Sequence, residues 1–413
     1  MGTLQFNNTF FSKVTFTIVF LLFGIGNIQA QMGCTDSQAN NYDPTATQND
    51  GSCTYDPVNV STTNTYPLDA ILSETSGLIY WDDNLWTQND NSDTNLYALN
   101  PSDGAILNSI SLDPEINKDW EEISQDEDYV YVGDFGNNVN GNRTDLRILR
   151  VSKSSIVAGT PQIDIINFAY EDQIDFTPTG ANNTDYDCEA FIIADEAIFL
   201  FTKQWVSNET RIYKLPKTPG TYQAALQDTY AINGLVTGAV YKKNEQLIAL
   251  SGYSNFLQPF VFLLYDYTEE DFFGANKRKL EINLPFHQVE GITTDDGLNY
   301  FITNEKYTAT GTTQQLHTLN LTEYLEEYLN VIAFEESDQF KIFPNPATSI
   351  IEIRSNMSSF PITYTIVDSA AKKVKEGTLN GQNSSIDISE LSVGNYIFQL
   401  GKETINSFRV IKR

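Results

Sequence analysis

Between Ser76 and Asn304 the chain repeats one pattern five times: a small or acidic pair, an apolar residue, a turn, an apolar run of strand length and a polar cluster. The copies run Ser76-Gly77-Leu78 to Asn89-Asp90, Glu121-Glu122-Ile123 to Asp134, Glu189-Ala190-Phe191 to Thr202-Lys203, Gly238-Ala239-Val240 to Ser251, and Glu290-Gly291-Ile292 to Thr303-Asn304. In each, eleven residues separate the third position from the start of the polar cluster. Short runs of Tyr, Phe, Ile, Val and Leu between turns such as Asp103-Gly104, Asn137-Asn138 and Asp296-Gly297 predict strands with tight connections. Helical periodicity is confined to Leu321 to Val331, where one or two turns are expected.

Units of about 40–50 residues that cannot bury their apolar faces alone must stack against one another, and here they predict an all-β propeller. Counted from the first residue of each phrase, the steps are 45, 68, 49 and 52 residues, which fits one blade each and five blades in all. The long second step contains the polar stretch Glu171 to Asp187, with Thr177-Pro178-Thr179-Gly180, as an insertion; a sixth blade there is the alternative. Ring closure requires the strand near Thr65-Tyr66-Pro67-Leu68 to pair with the last blade, which removes both exposed edges.

Lys13, the apolar run Val14 through Ile25 and the small residue ending Ile28-Gln29-Ala30 read as a secretory signal cleaved before Gln31. No later stretch approaches twenty apolar residues, so no transmembrane anchor is expected and the mature protein belongs outside the inner membrane. The chain of 413 residues divides into the signal at 1–30, a small module at 31–55, the propeller at 56–331, a linker at 332–339 and a C-terminal domain at 340–413. In an oxidising exterior Cys34 and Cys53 are expected to pair and staple the small module, leaving Cys188 as a buried small residue. Lys and Arg total 25 against 54 Asp and Glu, a net charge of −29. That balance excludes nucleic-acid phosphate as a partner, since counterion release needs clustered cations, and it suits either solubility alone or a hard divalent cation.

Gly33-Cys34-Thr35-Asp36, Asn41-Tyr42-Asp43-Pro44 and Asn49-Asp50-Gly51-Ser52-Cys53 resemble a Cys-bounded module of secreted proteins from Bacteroidetes-type bacteria. Asp36, Asp43, Asn49 and Asp50 are candidates to gather around Ca²⁺ there, the alternative being a disulfide-held spacer. Phe343-Pro344-Asn345-Pro346-Ala347, Ile351-Glu352-Ile353, Ile386-Asp387-Ile388, Leu391 to Phe398 and the closing Phe408 to Arg413 resemble the sorting domain of the type IX secretion system. The resemblance implies a small antiparallel β-sandwich, the type IX machinery as partner, and a destination in the medium or at the outer-membrane surface.

The first strand of a blade lines the central channel, so equivalent phrase positions form rings. One ring is Ser76, Glu121, Glu189, Gly238 and Glu290; a second polar layer holds Asn89, Asp90, Asp134, Lys203, Asn304 and Glu305. Glu121, Glu189 and Glu290 are the candidate metal ligands, with Ca²⁺ the expected ion, because crowded carboxylates repel unless a cation or protons intervene. The competing reading has them accept backbone amides from adjacent blades. Asp134, Lys203, Asn304 and Glu305 are candidate ligand contacts, and Trp120 and Trp205 are candidates for stacking on a flat ligand or for packing between blades. His287, three residues before Glu290, is the candidate general base or else a surface residue. Asp134-Phe135-Gly136 matches a kinase phrase whose other parts are absent, and is read as coincidence.

Glu74-Thr75-Ser76-Gly77-Leu78, Asp119-Trp120-Glu121-Glu122-Ile123 and Glu290-Gly291-Ile292 resemble phytase-like and esterase-like secreted propellers, which implies metal-assisted hydrolysis of phosphoesters or other esters. Two functions follow. A monomeric binding propeller takes a glycan, peptide or metal at the channel mouth, or a metal-dependent hydrolase turns over a small ester there; scarce histidine puts binding first.

Overall fold

The computed structural model describes residues 31–335, 340–355, 360–368, 372–401 and 406–413; the signal expected at 1–30 lies outside them. Five blades surround one axis. Blade 1 comprises Thr75–Trp81, Asn84–Asn89, Asn95–Leu99 and Ile106–Ser111; blade 2, Trp120–Gln125, Tyr129–Asp134, Arg147–Ser152 and Ile163–Tyr170. Blade 3 comprises Asp187–Ala194, Ala197–Lys203, Thr210–Pro216 and Gly220–Tyr230; blade 4, Leu235–Lys242, Leu247–Tyr253, Pro259–Tyr265 and Asn276–Ile282. Blade 5 has Val289–Thr294, Asn299–Asn304 and Gln315–Asn320, and takes its outer strand from the start of the chain: Thr62–Pro67 pairs antiparallel with Gln315–Asn320, Pro67 opposite Gln315. The expected closure is therefore present. Residues 171–186 form no strand, so the insertion is a loop and the count is five.

The apolar patterning accounts for the radial packing. Ala197–Lys203 and Pro259–Tyr265 are buried at every position, as strands covered on both faces must be. Apolar side chains gather in five clusters, one between each pair of neighbouring blades; Phe199 and Phe262 share the cluster between blades 3 and 4, Phe135 and Phe191 that between blades 2 and 3. The outer strands of blades 2 and 3 also pair in parallel from Ile166–Gly220 to Tyr170–Ala224.

The helix spans Thr322–Glu335 rather than one or two turns, because Ile332-Ala333-Phe334 offers no breaker and the helix runs on into the stretch read as linker. Leu321 and Leu325 enter the cluster between blades 4 and 5. Cys34 and Cys53 form the expected disulfide. The module they close rests on blade 4, where Arg278 lies between the rings of Tyr55 and Tyr324, 4.8 and 4.6 Å from their centroids. The module's acidic residues do not converge: Asp36 accepts from Tyr55 at 2.7 Å and from Tyr265, Asp43 from Thr45 at 2.8 Å and Asp50 from the Ser52 amide at 3.0 Å. At the C-terminus a three-stranded sheet (Phe340–Phe343, Ile350–Ser355, Asn383–Asp387) faces a four-stranded one (Ile362–Asp368, Lys373–Leu379, Gly394–Leu400, Asn406–Lys412) over a core that includes Ile351, Ile366 and Phe398.

Candidate functional site at the channel mouth

Each inner strand breaks its ladder near its first residues. In blade 2 Trp120 pairs with Asp134 and Glu122 with Gly133, so Glu121 is the extra residue. Glu189 is extra between Cys188 and Ala190, and Glu290 between Val289 and Gly291. A bulge re-aims the side chain it inserts, and all three glutamates line one cavity of about 150 Å³ at this end of the channel. In blade 4 the bulged residue is Thr237, not Gly238. The equal spacing of the phrases concealed unequal hairpins, which run from two residues at Asp82-Asp83 to four at Asp295–Leu298.

Residues that end the second strands, Lys203 and Tyr253, or directly follow them, Asp90 and Glu305, complete the wall with Ser76, Asn138, Asn182, Trp205 and Gln288. Three residues expected here lie elsewhere because side chains alternate between faces. Asp134 is fully buried and binds Arg143 at 2.8 Å and Arg147 at 2.9 Å. Asn304 accepts from His317 at 2.9 Å and donates to the Thr313 carbonyl at 2.9 Å, and Asn89 donates to Asp93 at 3.0 Å. Trp120 belongs wholly to the core between blades 1 and 2. His287, the candidate base, is not among the residues lining the cavity; its Nε2 is 3.4 Å from Gln315 and its ring 5.7 Å from that of His317. Cys188 is buried as expected, and burial pushes its thiol well above the usual range.

Lys203 is the centre of the wall. It is 3% exposed, binds the Glu189 carboxylate and the Tyr253 hydroxyl, the latter at 2.9 Å, and lies 4.7 and 5.0 Å from the Trp205 and Tyr253 ring centroids. Burial disfavours its charge, but Glu189, then Tyr253 and Glu290, more than offset that and hold it protonated. Glu189 shifts upward because burial outweighs the stabilisation from Lys203. Trp205 is fixed by a 2.7 Å bond from its indole N–H to Asp187.

On the side of blades 1 and 2 a second group forms. Asp90, Asp119 and Glu121 each place a carboxylate oxygen within 4.8 Å of the others. Burial, then repulsion from neighbouring carboxylates, pushes Asp90 and Glu121 well above the carboxylate range; burial and then Asp187 push Asp119 up to about 6, against Arg143 and a hydrogen bond with Asp90, and burial and Glu74 push Glu305 up to about 7. Glu121 Oε1 is buried without a hydrogen-bond partner. Gly136 lets these groups approach, since a Cβ there would lie 2.2 Å from Glu121 Oε1 and 2.5 Å from an Asp119 oxygen. The glycine of the Asp-Phe-Gly phrase thus has a steric role. The donors are all oxygens, which fits a hard cation such as Ca²⁺ and not a soft one.

The amide-accepting role belongs to Glu122, which the phrase alignment passed over. Fully buried, it accepts from its neighbour Ile123 at 2.9 Å and, from blade 2 to blade 4, from Ala239 at 2.8 Å. Gly77, at φ +67°, leaves room for it, because a Cβ there would sit 2.5 Å from Glu122 Oε1. Asp119, Tyr253 and Gln288 were also missed. Asp119 was visible in the Asp-x-Glu phrase, whereas Tyr253 was hidden by the register of blade 4.

A 31-residue stretch is 61% identical to ribulose bisphosphate carboxylase/oxygenase activase 1, chloroplastic, of Larrea tridentata, spanning 8% of this chain and 6% of that protein. The glutaminyl cyclase of Myxococcus xanthus is similar in structure at 11% identity and a TM-score of 0.41, covering 64% of this chain and 99% of that one. PorZ, a surface component of the type IX secretion system of Porphyromonas gingivalis, is similar at 11% identity and a TM-score of 0.31, covering 82% of this chain and 45% of that one. Residues 341–412 match the family described as the secretion system C-terminal sorting domain. Among the described residues no helix is long and apolar enough to cross a membrane. This is a β-propeller protein carrying a type IX sorting domain, exported to the cell surface or beyond.

Proposed function

We propose that this protein is an exported binding propeller whose channel mouth holds a hard divalent cation, Ca²⁺ in first place, on Asp90, Asp119 and Glu121. One observation carries the reading: three carboxylates converge within 4.8 Å while Glu121 Oε1 is buried with no donor facing it. An orphaned buried acceptor costs about 1–3 kcal/mol, and a cation bound there removes that cost together with the repulsion. The ligands differ from the three glutamates of the sequence reading, because Lys203 already neutralises Glu189.

Calorimetric titration of the full chain with Ca²⁺ tests this. One ion should bind, and Glu121→Gln should weaken it at least tenfold; absence of binding to the parent protein refutes the reading. Hydrolysis of a phosphoester or other ester is the second reading. It is favoured by Glu305, whose pKa of about 7 and place on the wall suit a general base. A bound cation would supply polarisation of the substrate oxygen. A panel of chromogenic phosphate and carboxylate esters with Ca²⁺ separates the two readings.

A further inference from the structure

The two ends of the propeller differ in kind. Eleven large apolar side chains of the propeller are exposed, and eight of them sit on loops at the end that holds the cavity. Phe256 and Ile174, 87% and 91% exposed, stand on the loops after Leu247–Tyr253 and after Ile163–Tyr170. Val139 and Val206 directly follow the wall residues Asn138 and Trp205, and Phe286 precedes Gln288 by two places. The hairpins of the opposite end are acidic instead, as at Asp82-Asp83, Asp195-Glu196 and Asp295-Asp296. Scattered exposed apolar residues are ordinary, but a concentration on one face around a polar cavity is not.

Inside that rim, at the start of blade 5 rather than on blades 1 and 2, two acceptors have no donor. Glu290 is 5% exposed and its Oε2 is unpartnered; Gln288 Oε1 is unpartnered as well, while its amide donates to Tyr253 at 3.3 Å. Glu305 lines the same part of the wall. A group that fills this place must bring N–H donors and positive charge, which are what an ammonium or guanidinium carries.

We propose that the mouth face docks an extended polypeptide segment that inserts a Lys or Arg side chain against Gln288 and Glu290 and lays apolar neighbours on the rim. Charge complementarity selects this occupant: Glu290 and Glu305 line the wall, and the one Lys or Arg among its described lining residues, Lys203, is already engaged by Glu189, within a chain of net charge −29. The same charge repels an anionic lipid surface. The inference rests on the channel mouth being a binding site, but not on a cation occupying it.

The test uses the full chain with a positional library of acetylated, amidated heptapeptides, read by fluorescence polarisation in Ca²⁺ and in EDTA. Lys or Arg should be selected at the centre with apolar flanks. Glu290→Gln should weaken the selected peptide at least tenfold. The Phe256→Ser/Phe286→Ser double variant should do the same while leaving Ca²⁺ titration and melting temperature unchanged, so failure of the docking site and failure of the cation site are read apart. Selection of a neutral or acidic centre, absence of any peptide binding, or binding to phosphatidylcholine vesicles that the double variant abolishes would each overturn the proposal.

Discussion

Replacing Lys203 by Met removes the one Lys or Arg among the described residues of the cavity wall and keeps a side chain able to pack between Trp205 and Tyr253. Glu189, 2% exposed, is then a buried carboxyl beside Asp187 and Glu305 with no counter-charge. It relieves that by keeping a proton which the unfolded chain, with Glu near its ordinary 4.5, releases at neutral pH. Holding the proton costs about 1.4 kcal/mol per pH unit above the ordinary value. The ceiling is therefore about 3.5 kcal/mol at pH 7 and below about 1 kcal/mol at pH 5. The folded value is raised, so stability falls as pH rises from the unfolded value toward the folded one. At about 2–4 °C per kcal/mol for a domain of this size, the propeller transition should drop by at most roughly 7–14 °C at pH 7 and by only a few degrees at pH 5, because Glu189, pushed up to about 8 beside Lys203, already carries part of this cost in the parent. Circular dichroism melts of parent, Lys203→Met and Lys203→Met/Glu189→Gln at both pH values make the comparison. The double variant should recover most of the loss, because an amide needs no counter-charge. A single variant that melts with the parent at pH 7, or a double variant no better than the single, refutes the buried-pair reasoning.

Glu122→Leu strands the Ile123 and Ala239 amides and should destabilise the propeller by about 2–4 kcal/mol in urea unfolding; a change under about 0.5 kcal/mol would contradict the inter-blade link. In EDTA the melting temperature should fall from pH 5 to pH 8, since Asp119 and Glu305, raised to about 6 and about 7, hold protons in the folded state that the unfolded chain has lost; a rise over that window contradicts it. Deleting residues 341–412 should keep the protein from reaching the surface or medium, as fractionation and immunoblotting would show.

The fold was legible because its signals are local and repeated. Apolar runs such as Ala197–Phe201 and turns such as Asp296-Gly297 mark strands one by one, and Thr65-Tyr66-Pro67 is a strand with no partner near it in sequence. Glu121, Glu189 and Glu290 were legible as a set because a repeat maps one position onto one place around the axis. Register was not. One added residue sends a strand side chain to the other face, so Asp134 and Asn304 brace loops while Glu305 faces the cavity, and Thr237 takes the place assigned to Gly238. Asp90 comes to Asp119 and Glu121 from another blade, a proximity that no spacing encodes. The same holds for Glu122, whose partner Ala239 lies across the channel in another blade.

Crystals of the mature protein grown with Ca²⁺ and measured for anomalous scattering test the central claim most directly. The account predicts one strong peak between Asp90, Asp119 and Glu121, at about 2.3–2.6 Å from their carboxylate oxygens. A channel mouth without such a peak at saturating Ca²⁺, with Glu121 Oε1 satisfied by water or by a proton shared with Asp90, would contradict it.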